Sequence, residues 1–261
     1  MRHFQFFVLT FFMFSLIACT NDQDKSELKS AQNANAPAEN SNSSNPSSLD
    51  SIQTVKIGSQ VWMDEDIKVT TYQNGDPIPL ANTEKLWELL GDRKEGCYRK
   101  LANGTFIYNG YAMQDKRGIL PSGFAVPTAK QFYQLMKFLG GGESQRGKAT
   151  LSLATYNIYV EEWVDGVDST DGGLETVEVK TNGKSGFKAK EGGFVYNHGG
   201  IGNEGECSYW WTSTSGTGGI YAKNEKPFVI IDIGYCSQDL GGGMGEYPSS
   251  FGFAIRGIKI Q

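Results

Sequence analysis

The chain has 261 residues, a formal net charge of -5 from 24 Lys plus Arg against 29 Asp plus Glu, and two histidines. An acidic chain without a basic block argues against nucleic acid as a partner. With so little histidine, a Ser-His-Asp triad or a two-histidine metal helix has almost no residues to build it.

The N-terminus, "MRHFQFFVLTFFMFSLIAC", places Arg2 before an apolar run that ends in a small residue and Cys19. This pattern predicts a secretion signal over residues 1–18, too short for a membrane-spanning helix. Its end, "LIAC", resembles a bacterial lipoprotein lipobox, in which Cys19 would be acylated. Buried acyl chains would then hold the protein to membrane lipid at about 0.8 kcal/mol per CH2 group. Loss of the leader removes Arg2 and no acid, leaving 23 Lys plus Arg against 29 Asp plus Glu, net -6, and His198 as the remaining imidazole. Residues 19–51 lack aromatics and are rich in Asn, Ser and Ala. Such a segment buries too little apolar surface to offset its chain entropy, so a disordered tether with a reach of roughly 30 Å is expected.

The folded domain is expected from residue 52 to residue 261. "VKIGSQVWM" predicts a tight hairpin with Gly58 at the turn and Val55, Ile57, Val61 and Met63 alternating in its arms. "TEKLWELLGD" predicts a helix capped by Thr83, with Leu86, Leu89 and Leu90 on one face and Gly91 ending it. "GTFIYNGYAM" fits either a strand or a short buried helix. "VPTAKQFYQLMKFLGGG" predicts a second helix with a Thr128/Gln131 capping box, an apolar face of Phe132, Leu135, Met136 and Leu139, and a glycine stop. Beyond it, "TYNIYVEEWV" and "LETVEVK" are strand candidates around "DGVDSTDGG", followed by short strand-like runs to the C-terminus. Early helices and late strands without a repeat predict an α+β domain. In "SYWWTST", successive strand residues face opposite ways, so Trp210 and Trp211 cannot form one platform, and core packing is the expectation.

Motifs for chemistry are few. Asp165, Asp168 and Asp171 recur at every third position, which suits a hairpin tip better than a calcium loop with ligands at alternate positions. "MDEDIK" and "EEW" hold neighbouring acids that could supply a glycosidase pair but read more readily as solvated loops. Cys97, Cys207 and Cys236 remain after acylation, which allows one disulfide plus a thiol or an intermolecular pair. Because Cys207 and Cys236 flank neighbouring strand candidates, that pair is the expected bridge, with Cys97 reduced and buried. A Cys3His zinc site with His198 lacks the usual C-x-x-C spacing, and no cofactor is expected.

In order along the domain, "IGSQVWMDEDIKVTTYQNGDPIP", "TFIYNGYAM", "LPSGFAVPT", "SGFKAKEGGF", "SYWWTST" and "SFGFAIRGI" together resemble the Fibrobacter succinogenes major paralogous domain family. The resemblance implies a C-type lectin-like fold, with short antiparallel sheets flanked by two helices. The family pattern has cysteines where this chain has Leu120 and Gly257, as expected if a disulfide has been lost as a unit. A family histidine is Ala125 here, and the active-site cysteines of the formylglycine-generating enzymes, which share the fold, are not found.

These readings imply a lipid-anchored envelope protein, on the outer membrane, with a non-catalytic binding or adhesion domain directed at a surface glycan or protein. Loops over a rigid scaffold would form the site. The loops at residues 197–206 and 237–247 are the candidates, with His198, Asn203, Glu206 and Tyr235 as ligand-binding residues. A carboxylate-based polysaccharide hydrolase and a structural component of a surface complex or pilus are the alternatives.

Overall fold

The computed structural model describes residues 52–140, 153–154, 158–164, 173–179, 182–218, 225, 227–234 and 244–260. It opens with the hairpin β1 (Thr54–Ile57) and β2 (Gln60–Met63), turned by Gly58 at φ +60°. The two-residue loop sets Val55 opposite Trp62 and Ile57 opposite Gln60. Trp62 therefore shares the face of Val55 and Ile57, in place of the expected Val61, while Met63 enters the core on the other side.

Helix α1 (Glu84–Asp92) starts as expected, with the Thr83 hydroxyl accepting from the Leu86 amide at 3.1 Å. It does not end at Gly91, which lies within the helix against Ser250. The left-handed residue that closes it is Lys94 at φ +57°, where the Lys94 and Glu95 amides donate to the Gly91 and Leu90 carbonyls. The ambiguous segment is both things at once: β4 (Phe106–Asn109), paired with β3 (Tyr98–Lys100), runs directly into the one-turn helix α2 (Gly110–Met113). Buried Asn109 makes the junction, its side-chain oxygen accepting from the amides of Ala112 and Cys97. After β5 (Phe124–Ala125), helix α3 (Ala129–Phe138) carries the Thr128/Gln131 capping box and buries Phe132, Leu135 and Met136. These are three short helices among the described residues, and none is long and apolar enough to cross a membrane.

The strands β6 (Ile158–Val164) and β7 (Gly173–Val179) form a separate antiparallel hairpin. The rest are β8 (Phe194–Val195), β9 (Ile201–Gly202), β10 (Cys207–Ser215), β11 (Phe228–Gly234), β12 (Met244–Tyr247), β13 (Gly252–Phe253) and β14 (Ile258–Lys259). They complete antiparallel sheets in the orders β1-β2-β14-β5, β3-β4-β13-β8-β9 and β10-β11-β12. The result is β-rich, with the domain's last strand closed against its second.

Strand β10 separates the two halves of the core. Trp210 enters one cluster, ringed by Phe132 and Phe187 at 6.0 and 5.6 Å between centroids, with Trp62 beside both phenylalanines. Trp211 enters the other, edge-on to Phe253 at 4.8 Å. Both indoles are buried on opposite faces, as strand alternation requires. Each N–H finds an acceptor: Trp210 donates to the Asp66 carboxylate at 2.7 Å and Trp211 to the Tyr108 carbonyl at 2.8 Å.

The positions where the family pattern carries cysteines are neighbours. A Cβ built on Gly257 would lie 3.2 Å from the Leu120 side chain and 2.7 Å from the Met63 sulfur, which can give way. The double variant Leu120→Cys/Gly257→Cys is therefore expected to form a disulfide under air oxidation and to gain about 2–4 kcal/mol over its reduced form. Thiol titration and urea unfolding with and without reductant check this; two thiols that stay reduced would show the positions to be too far apart.

Candidate functional site

The residues 64–69, which read as a solvated acidic loop, are fastened from behind. The Met63 amide donates to Gly257 and the Ile67 amide to Ile255, at 2.9 and 3.0 Å, so this segment follows the last strands. Arg256 is wholly buried beneath it. Its Nε donates to Asp66 Oδ1 at 2.6 Å, and Nη1 donates to the Asp64 carbonyl at 2.9 Å and to the carbonyls of Met63 and Phe187. The guanidinium plane lies 4.1 Å over the Phe187 ring, and Nη2 is left without an acceptor among the described residues. Asp66 is thus an internal acceptor shared by Arg256 and Trp210, contrary to the solvated reading.

Over this floor a cleft opens on both sides of the segment. The smaller recess, about 120 Å³, lies between Glu65–Lys68, the β3–β4 loop at 103–106, and Lys188 with Lys190. The larger, about 360 Å³, has an apolar lining of Ile52, Met63, Ile67, Val69 and Pro121. Glu65 to Lys68 and Lys188 border both. The loop wall is stiffened by Asn103, whose Oδ1 accepts from the Thr105 amide and whose Nδ2 donates to the Glu191 carbonyl. Lys188 stands at φ +51°, a left-handed conformation uncommon outside glycine, and ion-pairs with Asp64.

Each carboxylate of the cleft has a cationic partner. Glu65 is pushed up by partial burial, but the Lys68 hydrogen bond at 3.3 Å and the Lys190 ammonium outweigh this and hold its carboxyl below the usual glutamate range. A general acid needs the opposite shift. Asp66 is held by Arg256, and Asp64 by Lys188.

The residues expected to bind ligand lie elsewhere or outside the description. His198 is exposed on the β8–β9 turn, its imidazole stacked on Tyr196 at 5.2 Å and its Nδ1 accepting from the Gly200 amide. Asn203, at φ +53°, donates from its side chain to the Tyr209 hydroxyl at 2.7 Å, while its carbonyl accepts from the Glu206 and Cys207 amides. Glu206 is exposed at that turn, and none of the three lines the cleft. Glu204 between them does not line it either, but braces its wall, accepting from the Asn103 amide at 3.2 Å. Cys19, Asp165, Asp168, Asp171, Tyr235 and Cys236 lie outside the described residues, as do the leader and tether. Sequence reasoning missed Lys68, Asn103, Phe106, Lys188, Lys190 and Arg256. The one available signal was an arginine inside the otherwise apolar run "FGFAIRGI".

Removing one member of a buried ion pair strands the other, at a cost of about 3–5 kcal/mol. Arg256→Met is therefore expected to lower unfolding free energy by that amount in urea. Asp66→Asn keeps an oxygen toward both donors but leaves the wholly buried Arg256 charge unmatched, and should cost as much. A clearly smaller loss for Asp66→Asn would show that acceptor geometry, and not the carboxylate charge, is what the site requires.

A family model described as the Fibrobacter succinogenes major domain matches residues 55–259, nearly the whole described domain. No curated protein and no solved structure matches the chain. The chain belongs to the Fibrobacter succinogenes major domain family.

Proposed function

We propose that the protein is a lipid-anchored cell-envelope protein whose domain is a non-catalytic binding module directed at a surface glycan. The observation that carries this is the two-sided cleft around residues 64–69: the larger side falls within the usual size range of ligand sites, with apolar walls beside convergent lysines and carboxylates. Phe106 and Ile67 offer apolar faces, and Asn103 and Thr105 add amide and hydroxyl groups, a mixture that suits a sugar. The anchor rests on the leader and Cys19, which would place the domain at the outer membrane beyond its tether. A non-catalytic role is favoured because the carboxylates of the cleft are held by Arg256, Trp210 and three lysines.

We assign the finer fold to the C-type lectin-like class. The family resemblance and the pairing of β14 with β2 support this. We also propose a Cys207–Cys236 bridge: Cys207 pairs with Gly234 across the β10–β11 ladder, two residues short of Cys236 in sequence, and Cys97 is free and buried, which supports this pairing. Burial, with Glu95 adding, pushes the Cys97 thiol far up, so it should stay unreactive until the protein unfolds.

Detergent-solubilised full-length protein on a glycan array, with and without calcium, tests the binding role. Binding of a defined glycan subset, abolished by filling the cleft with Lys68→Trp at an exposed residue that lines both sides, is expected. Absence of any binding, with co-purification of an envelope protein, would replace this reading with the assembly role. Non-reducing peptide mapping should recover the Cys207–Cys236 peptide, and Cys19→Ser should abolish incorporation of labelled palmitate.

A further inference from the structure

We propose that the smaller recess of the cleft selects glycans bearing a single negative charge per residue, the carboxylate of a uronic acid, over neutral glycans. This rests on the binding-module reading and adds the ligand's chemical class.

The argument is the layering of charge. Lys68, Lys188 and Lys190 are 49, 48 and 51% exposed, whereas Asp64 and Asp66 are 15 and 12% exposed and Glu65 is 41%. The anions lie deeper, and the ammonium groups form the face that a ligand meets. Among the charged residues that line the cleft, with Arg256 buried beneath them, four cations oppose three carboxylates, an excess of one positive charge in a chain whose overall charge is -5. The carboxylates do not cancel this face. Asp66 is neutralised from beneath by Arg256, and Asp64 is matched by Lys188. Glu65 is shared between Lys68 at 3.3 Å and Lys190 at 3.7 Å, which leaves one lysine charge in excess.

Size and donor type fit the same ligand. At about 120 Å³ the recess is below the usual size of a whole ligand pocket but adequate for a charged substituent, while the adjoining side of about 360 Å³ takes the ring. Lysine ammonium groups are flexible point charges with three donors each and accept a carboxylate without a fixed fork. One excess charge matches a monoanion and leaves a doubly charged phosphate monoester undercompensated. Lys188 borders both sides, and its constrained backbone fixes the origin of its side chain at the point where ring and carboxylate would meet.

The test is calorimetry on detergent-solubilised full-length protein with a uronic acid oligosaccharide, its carboxyl-reduced neutral counterpart, and a phosphorylated counterpart. The uronate is expected to bind about tenfold more tightly than the neutral form, the worth of one charge-assisted contact. That preference should shrink in 0.5 M salt. Lys190→Met should erase it, and Glu65→Gln, which removes the internal competitor, should increase it, both with unchanged thermal unfolding. Equal affinity for uronate and neutral forms overturns this inference and leaves the binding-module reading standing. Tighter binding of the phosphate form contradicts the single-charge match, and a preference that survives Lys190→Met places the contact elsewhere. Failure of every oligosaccharide to bind removes the glycan reading together with the inference.

Discussion

A guanidinium buried among aromatic rings is tolerable only if its charge is matched and its N–H groups are met. Arg256 meets this through Nε and Nη1, with Nη2 left without an acceptor among the described residues, by drawing three stretches of chain to one point: its own strand region, the carboxylate and carbonyls of residues 63–66, and the carbonyl of Phe187. Each is far from the others in sequence. The pair with Asp66 therefore does more than add stability. It fixes where the segment 64–69 crosses the core, and that segment is the divide of the cleft.

The twin tryptophans belong to the same arrangement. Trp210 is the second donor, beside Arg256, to Asp66 Oδ1 while packing with Phe132 and Phe187, and Trp211 packs on the opposite side of β10 against Phe253. One strand thus ties the polar centre to both halves of the apolar core. The pair is the support beneath the site, as the core packing expected of it allows. The surface available to a ligand is the lysine-edged cleft above it.

Legibility in the sequence follows the range of the interaction. The Thr128/Gln131 box, the helix face of Phe132 and Leu135, and the hairpin at Gly58 are local, and each appears where its pattern puts it. Gly91 misled because a glycine marks a helix end only when a left-handed turn is needed there, and Lys94 takes that conformation instead. The alternation of Trp210 and Trp211 was readable, but which faces were covered was not, since both depend on partners more than 40 residues away. The cleft could not be read at all: residues 64–69, 103–106 and 188–190 meet only through the tertiary fold. The glycine-rich turn around His198 drew attention for its polar side chains, yet Asn203 uses its amide and carbonyl to hold its own turn and Tyr209.

The dependence of the cleft on the Arg256–Asp66 pair is most directly measured by hydrogen exchange in Asp66→Ala beside the parent protein, read at the amides of Asp64 and Ile67, which donate to Gln53 and Ile255. Loss of the carboxylate should speed exchange at these amides by about tenfold or more, while the amides of β10 retain their protection. Unchanged protection at Asp64 and Ile67, or an equal loss throughout β10, would contradict the account.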